Sequence, residues 1–239
     1  MQNNAYISCR TKKAPMIFPI GDDDIKGGHF PFFSYAIILV NALVFFWQNW
    51  GVADPWQFVN TYGAIPGEIV RGKDLYTLVT SIFLHGGFAH FLGNMLFLWI
   101  FADNIEATIG NGRFLGFYFL AGLAAHVAHI ALNPLSEVPT IGASGAISGV
   151  MGAYMVMFPG SRIRVLFLVF PFYLPAILFL GLWIYFQFQS GLGELQTAPG
   201  DASGVAYWAH IGGFVFGVAA GIYYRARNMH RPRKTRDYV

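Results

Sequence analysis

"VLFLVFPFYLPAILFLGLWIYF", residues 165–186, carries no charged side chain and is apolar on every side. A helix with no polar face is buried in protein or in lipid, and this run exceeds the ~20 residues needed to cross a hydrocarbon core ~30 Å thick. Residues 27–53, 75–102, 114–136, 138–161, 165–193 and 202–224 likewise contain no Asp, Glu, Lys or Arg. Backbone groups in lipid must be satisfied within a helix or a closed barrel. Barrel strands would alternate in polarity over segments of ~10 residues, and "YAIILVNALVFFW" (35–47) does not. Composition agrees, with 55% hydrophobic and 11% charged residues, against roughly a quarter charged in soluble proteins. The expected fold is all-α: a polytopic membrane protein of six spanning helices, at about 31–50, 88–103, 114–132, 144–158, 165–188 and 205–224.

With the spans drawn, every Lys and Arg except Arg71 and Lys73 falls on one side, so the positive-inside rule predicts that both termini are cytoplasmic. The expected organisation is a cytoplasmic tail (1–30), a single helical domain (31–224) and a basic cytoplasmic tail (225–239). A sequence pI of about 9.0 is read as arginine and lysine meeting lipid headgroups, with no nucleic-acid partner. The first apolar run begins near Phe30 without a small-residue cleavage site before it, which predicts a retained first span. Cys9 is the only cysteine, so neither a disulfide framework nor a thiolate metal site is expected.

The connection at 51–87 is the exception to short loops. It mixes Trp56, Phe58, Tyr62, Ile65, Ile69, Leu75 and Tyr76 with polar residues, as a segment lying in the outer interface would. The fourth span is short, about fifteen residues or ~22 Å. Arg162 and Arg164 anchor its far end, so its first residue, Ser144, is recessed beneath the outer surface.

Polar groups inside spans are costly and therefore candidates for function. They are His85, His90 and Asn94 at the second span, His126 and His129 in the third, Ser144 and Ser148 in the fourth, and His210 in the sixth. None is a carboxylate, which removes mechanisms that need two acids or a metalloprotease base. His126 and His129 share a helix face, but no third ligand accompanies them, so no metal and no cofactor is expected; both, with His85, read more simply as histidines satisfying backbone or loop groups. The second, fourth and sixth spans all enter from outside, which puts His90, Ser144 and His210 at similar depth. Gly145 and Gly149 on one span, and Gly213, Gly217 and Gly221 on another, form small-residue ridges that permit close helix contact. Ser144 can then face His210, and a neutral imidazole is the commonest base for a serine hydroxyl. His90, Asn94 and the Ser144 backbone N–H can donate to a developing oxyanion. Taken alone, a serine between glycines such as Ser144 is usually a packing residue; only the joint pattern points to chemistry.

Three blocks resemble the rhomboid family of intramembrane serine proteases: "HGGFAHFLGNM" (85–95), "GASG" (142–145) and "AHIGGFVFG" (209–217). With six spans, the match resembles the minimal bacterial form and covers nearly the whole chain. The resemblance implies Ser144 as nucleophile, His210 as general base and later acid, and His90 with Asn94 as oxyanion donors. "DNIEATIG" (103–110), with Glu106, resembles the family's polar stretch that ties helix ends together. Ser148 stands where many relatives carry an aromatic residue, and Tyr76-Thr77 where the first external loop often has Trp-Arg.

The resemblance further implies a multi-pass protein of the bacterial inner membrane. Its partners would be membrane lipids and single-pass transmembrane substrates, cut in or near their spans through an acyl-enzyme. A substrate helix would enter between the second and fifth spans. The alternatives are a catalytically inactive rhomboid-like scaffold that binds transmembrane clients, against which the intact Ser144 and His210 argue, and a small transporter, for which no inverted repeat is visible.

Overall fold

The structure, a computed structural model, describes residues 17–23, 28–195 and 204–227. Cys9 and most of the tail cations lie outside the described residues. The chain is mostly helical. Helix α1 (Phe32–Phe46) continues into one π-helical turn (Trp47–Gly51). The long connection folds into three short helices, α2 (Pro55–Tyr62), α3 (Pro66–Val70) and α4 (Thr77–Thr80), and a 3₁₀ turn (Ser81–Phe83). Then come α5 (Phe88–Ile109), α6 (Asn111–Leu132), α7 (Ser144–Met157), α8 (Ala176–Glu194) and α9 (Tyr207–Ala226). Among the described residues, four helical segments are long and apolar enough to cross a membrane: Phe32–Gly51, α5, α6 and α8. Helix α7, with 14 residues, is an apolar helix too short to join them.

The all-α expectation is corrected at residues 162–175. In place of the first half of a fifth span from 165, strands β2 (Arg162–Phe167) and β3 (Phe170–Pro175) form a hairpin, and β1 (Ile17–Gly21) pairs with β2, giving an antiparallel sheet in the order β1-β2-β3. The register sets Ile17 opposite Phe167 and Arg162 opposite Pro175. The reason is local. Arg162, Ile163, Arg164 and Val165 alternate between solvent and core, with Ile163 and Val165 fully buried, and that is the period of a strand, not of a helix. Leu168 takes a left-handed conformation (φ +56°) that turns the hairpin. Pro171 and Pro175 lie on the edge strand, where a missing N–H is tolerated. Strand β1 also falls within the segment drawn as an N-terminal tail.

Around this sheet one end of the bundle is polar and tied. Asp22, just past β1, accepts from the Tyr154 hydroxyl of α7 and from Asn104 Nδ2 of α5 at 2.7 Å. Asp23 pairs with Arg162 at 3.2 Å, and the Arg162 guanidinium and backbone N–H hold the Asp23 carboxyl below the usual carboxylate range. At the same end, Arg225 of α9 donates to the Val156 carbonyl of α7 at 3.0 Å.

Helix α5 runs past the expected end at 103 because Glu106 finds donors. Its fully buried carboxylate accepts from the backbone N–H of Phe33 at 2.8 Å, that of Ser34 at 2.7 Å and the Ser34 hydroxyl at 2.7 Å. These are among the first N–H groups of α1, which no intrahelical carbonyl can satisfy and which the Pro31 cap leaves without a side-chain partner. Glu106→Ala is expected to lower stability by roughly 2–4 kcal/mol, as strong hydrogen bonds are lost and buried donors left bare. The loss should appear as an earlier thermal transition in detergent.

Close contact between α7 and α9 fixes the centre of the fold. A Cβ at Gly213 would collide with the Gly145 carbonyl, one at Gly217 with the Gly149 carbonyl, and one at Gly152 with the Phe214 carbonyl. The two backbones touch directly, which leaves their first residues little freedom relative to each other.

Candidate active site

Ser144 is the first residue of α7, preceded by Ala143 as a cap without a side-chain bond. The N–H groups of Ser144, Gly145 and Ala146 therefore have no intrahelical partner, since the first such bond runs from Ile147 N to Ala143 O at 3.0 Å. His210 sits in the first turn of α9. Across the glycine contact, His210 Nε2 lies 2.8 Å from Ser144 Oγ. Both residues are half-buried and line a cavity of about 1180 Å³.

The other face of His210 meets α8. Nδ1 lies 2.8 Å from Gln187 Oε1; a carboxamide oxygen only accepts, so this contact is a hydrogen bond when Nδ1 carries the proton. In a neutral ring Nε2 is then bare and receives the Ser144 O–H. One turn earlier on α8, the Trp183 ring lies 5.8 Å from the His210 ring at an interplanar angle of 38°. Ser148 donates to the Ser144 carbonyl at 2.6 Å, and the ring beside the histidine comes from α8.

His90 and Asn94 stand one above the other on α5, next to the backbone that leads into Ser144. Gly142 has φ +120°, a conformation that favours glycine, and a Cβ there would lie 2.8 Å from His90 Nε2 and 3.7 Å from Asn94 Nδ2. The Gly86 N–H donates to His90 Nδ1 at 3.3 Å, so the neutral ring carries its proton on Nε2, on the Gly142 side. Asn94 Nδ2 is buried without a hydrogen-bond partner among the described residues, an uncommon condition for a buried donor. Both side chains line the same cavity as Ser144 and His210. The four residues singled out in the sequence thus line one cavity, with His90 and Asn94 beside the Ser144 segment and an imidazole nitrogen on its hydroxyl.

Gln48, Ser81 and His126 brace the segments that carry this arrangement. Gln48 Nε2 donates to the His85 carbonyl at 2.7 Å, and its oxygen accepts from His85 N at 3.2 Å. This clamps the stretch that presents Gly86 to His90, while the His85 ring packs among Phe45, Phe91 and His90. His126 Nε2 lies 3.0 Å from Ser81 Oγ, and the Ser81 carbonyl accepts from Gly142 N at 2.9 Å, which steadies the loop ahead of Ser144. Gln48 and Gln187 escape a reading of the sequence because a lone amide in an apolar run has no spacing to mark it.

Fold and site together define a helical integral membrane protein with a serine–histidine pair lining an open cavity. The Rhomboid domain family matches residues 72–227. The chain is 29% identical over 213 residues to mitochondrial Rhomboid protein 1 of Saccharomyces cerevisiae, covering 84% of this chain and 56% of that one. It is 34% identical over 134 residues to Rhomboid protease GluP of Bacillus subtilis, covering 55% and 26%. With the human mitochondrial presenilin-associated rhomboid-like protein it shares 28% identity over 152 residues, covering 59% and 36%. It spans about half or less of the length of these relatives. The chain belongs to the rhomboid family, which includes serine intramembrane proteases.

Proposed function

We propose that the chain is a serine endopeptidase that cleaves single-pass transmembrane proteins in or near their membrane spans. In this reading α7 and α9 join the four longer segments as six spans, and both termini lie on the inner side of the membrane. The observation that carries the proposal is the 2.8 Å contact between Ser144 Oγ and His210 Nε2.

As Oγ attacks the scissile carbonyl, His210 Nε2 takes its proton and the carbonyl oxygen becomes an oxyanion. Asn94 Nδ2, His90 Nε2–H and the Ser144 N–H stand on the side where that charge develops, and donors fixed in a low-dielectric site stabilise it. The imidazolium returns its proton to the departing amine, the C–N bond breaks and an acyl ester remains on Ser144. Water from the cavity, deprotonated by His210, hydrolyses the ester and restores the serine. A helical peptide bond is hidden from attack, so segments rich in small, helix-destabilising residues are the expected substrates.

A serine-directed fluorophosphonate should label the purified protein but not Ser144→Ala, and only the former should cleave a generic transmembrane reporter. Labelling without cleavage of any transmembrane reporter would mean a reactive serine with another task, and equal activity in Ser144→Ala would end the proposal. Asn94→Ala should lower kcat by about 10²–10³-fold with little change in KM, the loss typical of one oxyanion donor.

A further inference from the structure

The sequence leaves His210 without a carboxylate to orient it, yet a bare imidazole has two tautomers. With the proton on Nε2 the ring would point an N–H at Ser144 and could accept nothing from it. We propose that Gln187 is the positioning residue of the Ser144–His210 pair: its side-chain oxygen, 2.8 Å from Nδ1, keeps the ring proton there and leaves Nε2 free for the serine. The inference rests on the protease reading, and it assigns the third position of the site to an uncharged amide on α8.

Geometry supports more than a passing contact. Trp183 and Gln187 are four residues apart on one face of α8, so both reach the same ring; one fixes its plane and the other its tautomer. An amide oxygen also suits the place, because a dipole is cheaper to bury than the carboxylate that fills this role in Ser-His-Asp sites. The arrangement has a second property. A carboxamide turned by half a rotation would present its NH₂ to Nδ1 and drive the proton to Nε2, so the orientation of this one group separates a competent base from an inert one. Leu178, Leu182, Tyr185 and Phe186 on α8 are exposed among the described residues, so the base is oriented by a helix packed on one side, while its nucleophile is held by the glycine-locked pair α7 and α9.

The test uses the full chain and a transmembrane reporter. Gln187→Met keeps the length and loses the acceptor; kcat should fall about 10²-fold, short of the ~10⁴ that follows loss of the orienting group in a charged triad, while KM stays within about twofold. Gln187→Glu, which can only accept when ionised, should recover at least a tenth of the wild-type kcat. In ¹⁵N-histidine-labelled protein, the His210 resonances, assigned by their loss in His210→Asn, should report a proton on Nδ1 in the wild type and a mixture of tautomers in Gln187→Met. A wild-type ring protonated on Nε2, or a folded Gln187→Met with wild-type kcat, would overturn the assignment. The tautomer is read on the wild type, so the test stands even if Gln187→Met fails to fold. It also separates the two ideas: absent cleavage and labelling in the wild type would remove the protease reading, whereas active wild type with an indifferent Gln187 would remove only this one.

Discussion

Alanine at Ser144, at His210 or at both positions should lower kcat for reporter cleavage by about the same factor, on the order of 10⁴–10⁶, because residues that act as one unit lose their effect together. The two side chains share one hydrogen bond at 2.8 Å, and in the protease reading neither does chemistry without the other. Without His210 the hydroxyl keeps its proton; without Ser144 the imidazole has no alcohol to activate. What remains is the contribution of His90, Asn94 and binding. Single-turnover cleavage in liposomes measures this directly. Losses that multiply in the double variant would mean two independent roles, and full turnover by His210→Ala would require another base. The folded state should survive, since both residues line the cavity and neither fills the core.

Gly217→Val should do the opposite, harming the fold first and activity through it. A Cβ at this position runs into the Gly149 backbone, which cannot swing aside as a flexible side chain would. Helices α7 and α9 must part, at a cost of roughly 1–3 kcal/mol or more. The serine and histidine sit on opposite sides of that same contact, and a displacement of about 1 Å costs some 10²-fold in rate. Thermal unfolding and kcat should therefore fall together. Gly116, on α6, has nothing within 4 Å of its notional Cβ, so Gly116→Ala should stay within about 1 kcal/mol of the parent. If Gly217→Val melts and cleaves like Gly116→Ala, close helix contact is not what holds the pair.

Much of this was legible in the residues, for identifiable reasons. Charge-free runs mark helices well because a charge in lipid is costly, and α1, α6, α7 and α9 begin and end within a few residues of their expected bounds. Residues 165–175 misled, since a continuous apolar run fits a buried strand as well as a helix. The signal lay just upstream, in the alternation of Arg162, Ile163, Arg164 and Val165, and in two prolines that a straight helix would not welcome. The end of α5 at Ile109 was hidden for another reason: Asp103 and Glu106 look like a boundary until the partners of Glu106 at the start of α1 are known. At the site, spacing and depth were enough to nominate Ser144, His210, His90 and Asn94, because each recurs at the same level on helices of one direction. Gln187 was not nominated, as its partner is 23 residues away in sequence and on another helix.

The pairing of β1 with β2 imposes an order on biosynthesis. The strand at residues 17–21 leaves the ribosome first, yet the edge it joins, residues 162–167, is made only after α7. Until then that strand has no sheet to enter, and the ties from Asp22 and Asp23 to Tyr154 and Arg162 cannot close. The sheet thus works as a late clasp, fastened only once most of the bundle has been threaded into its bilayer.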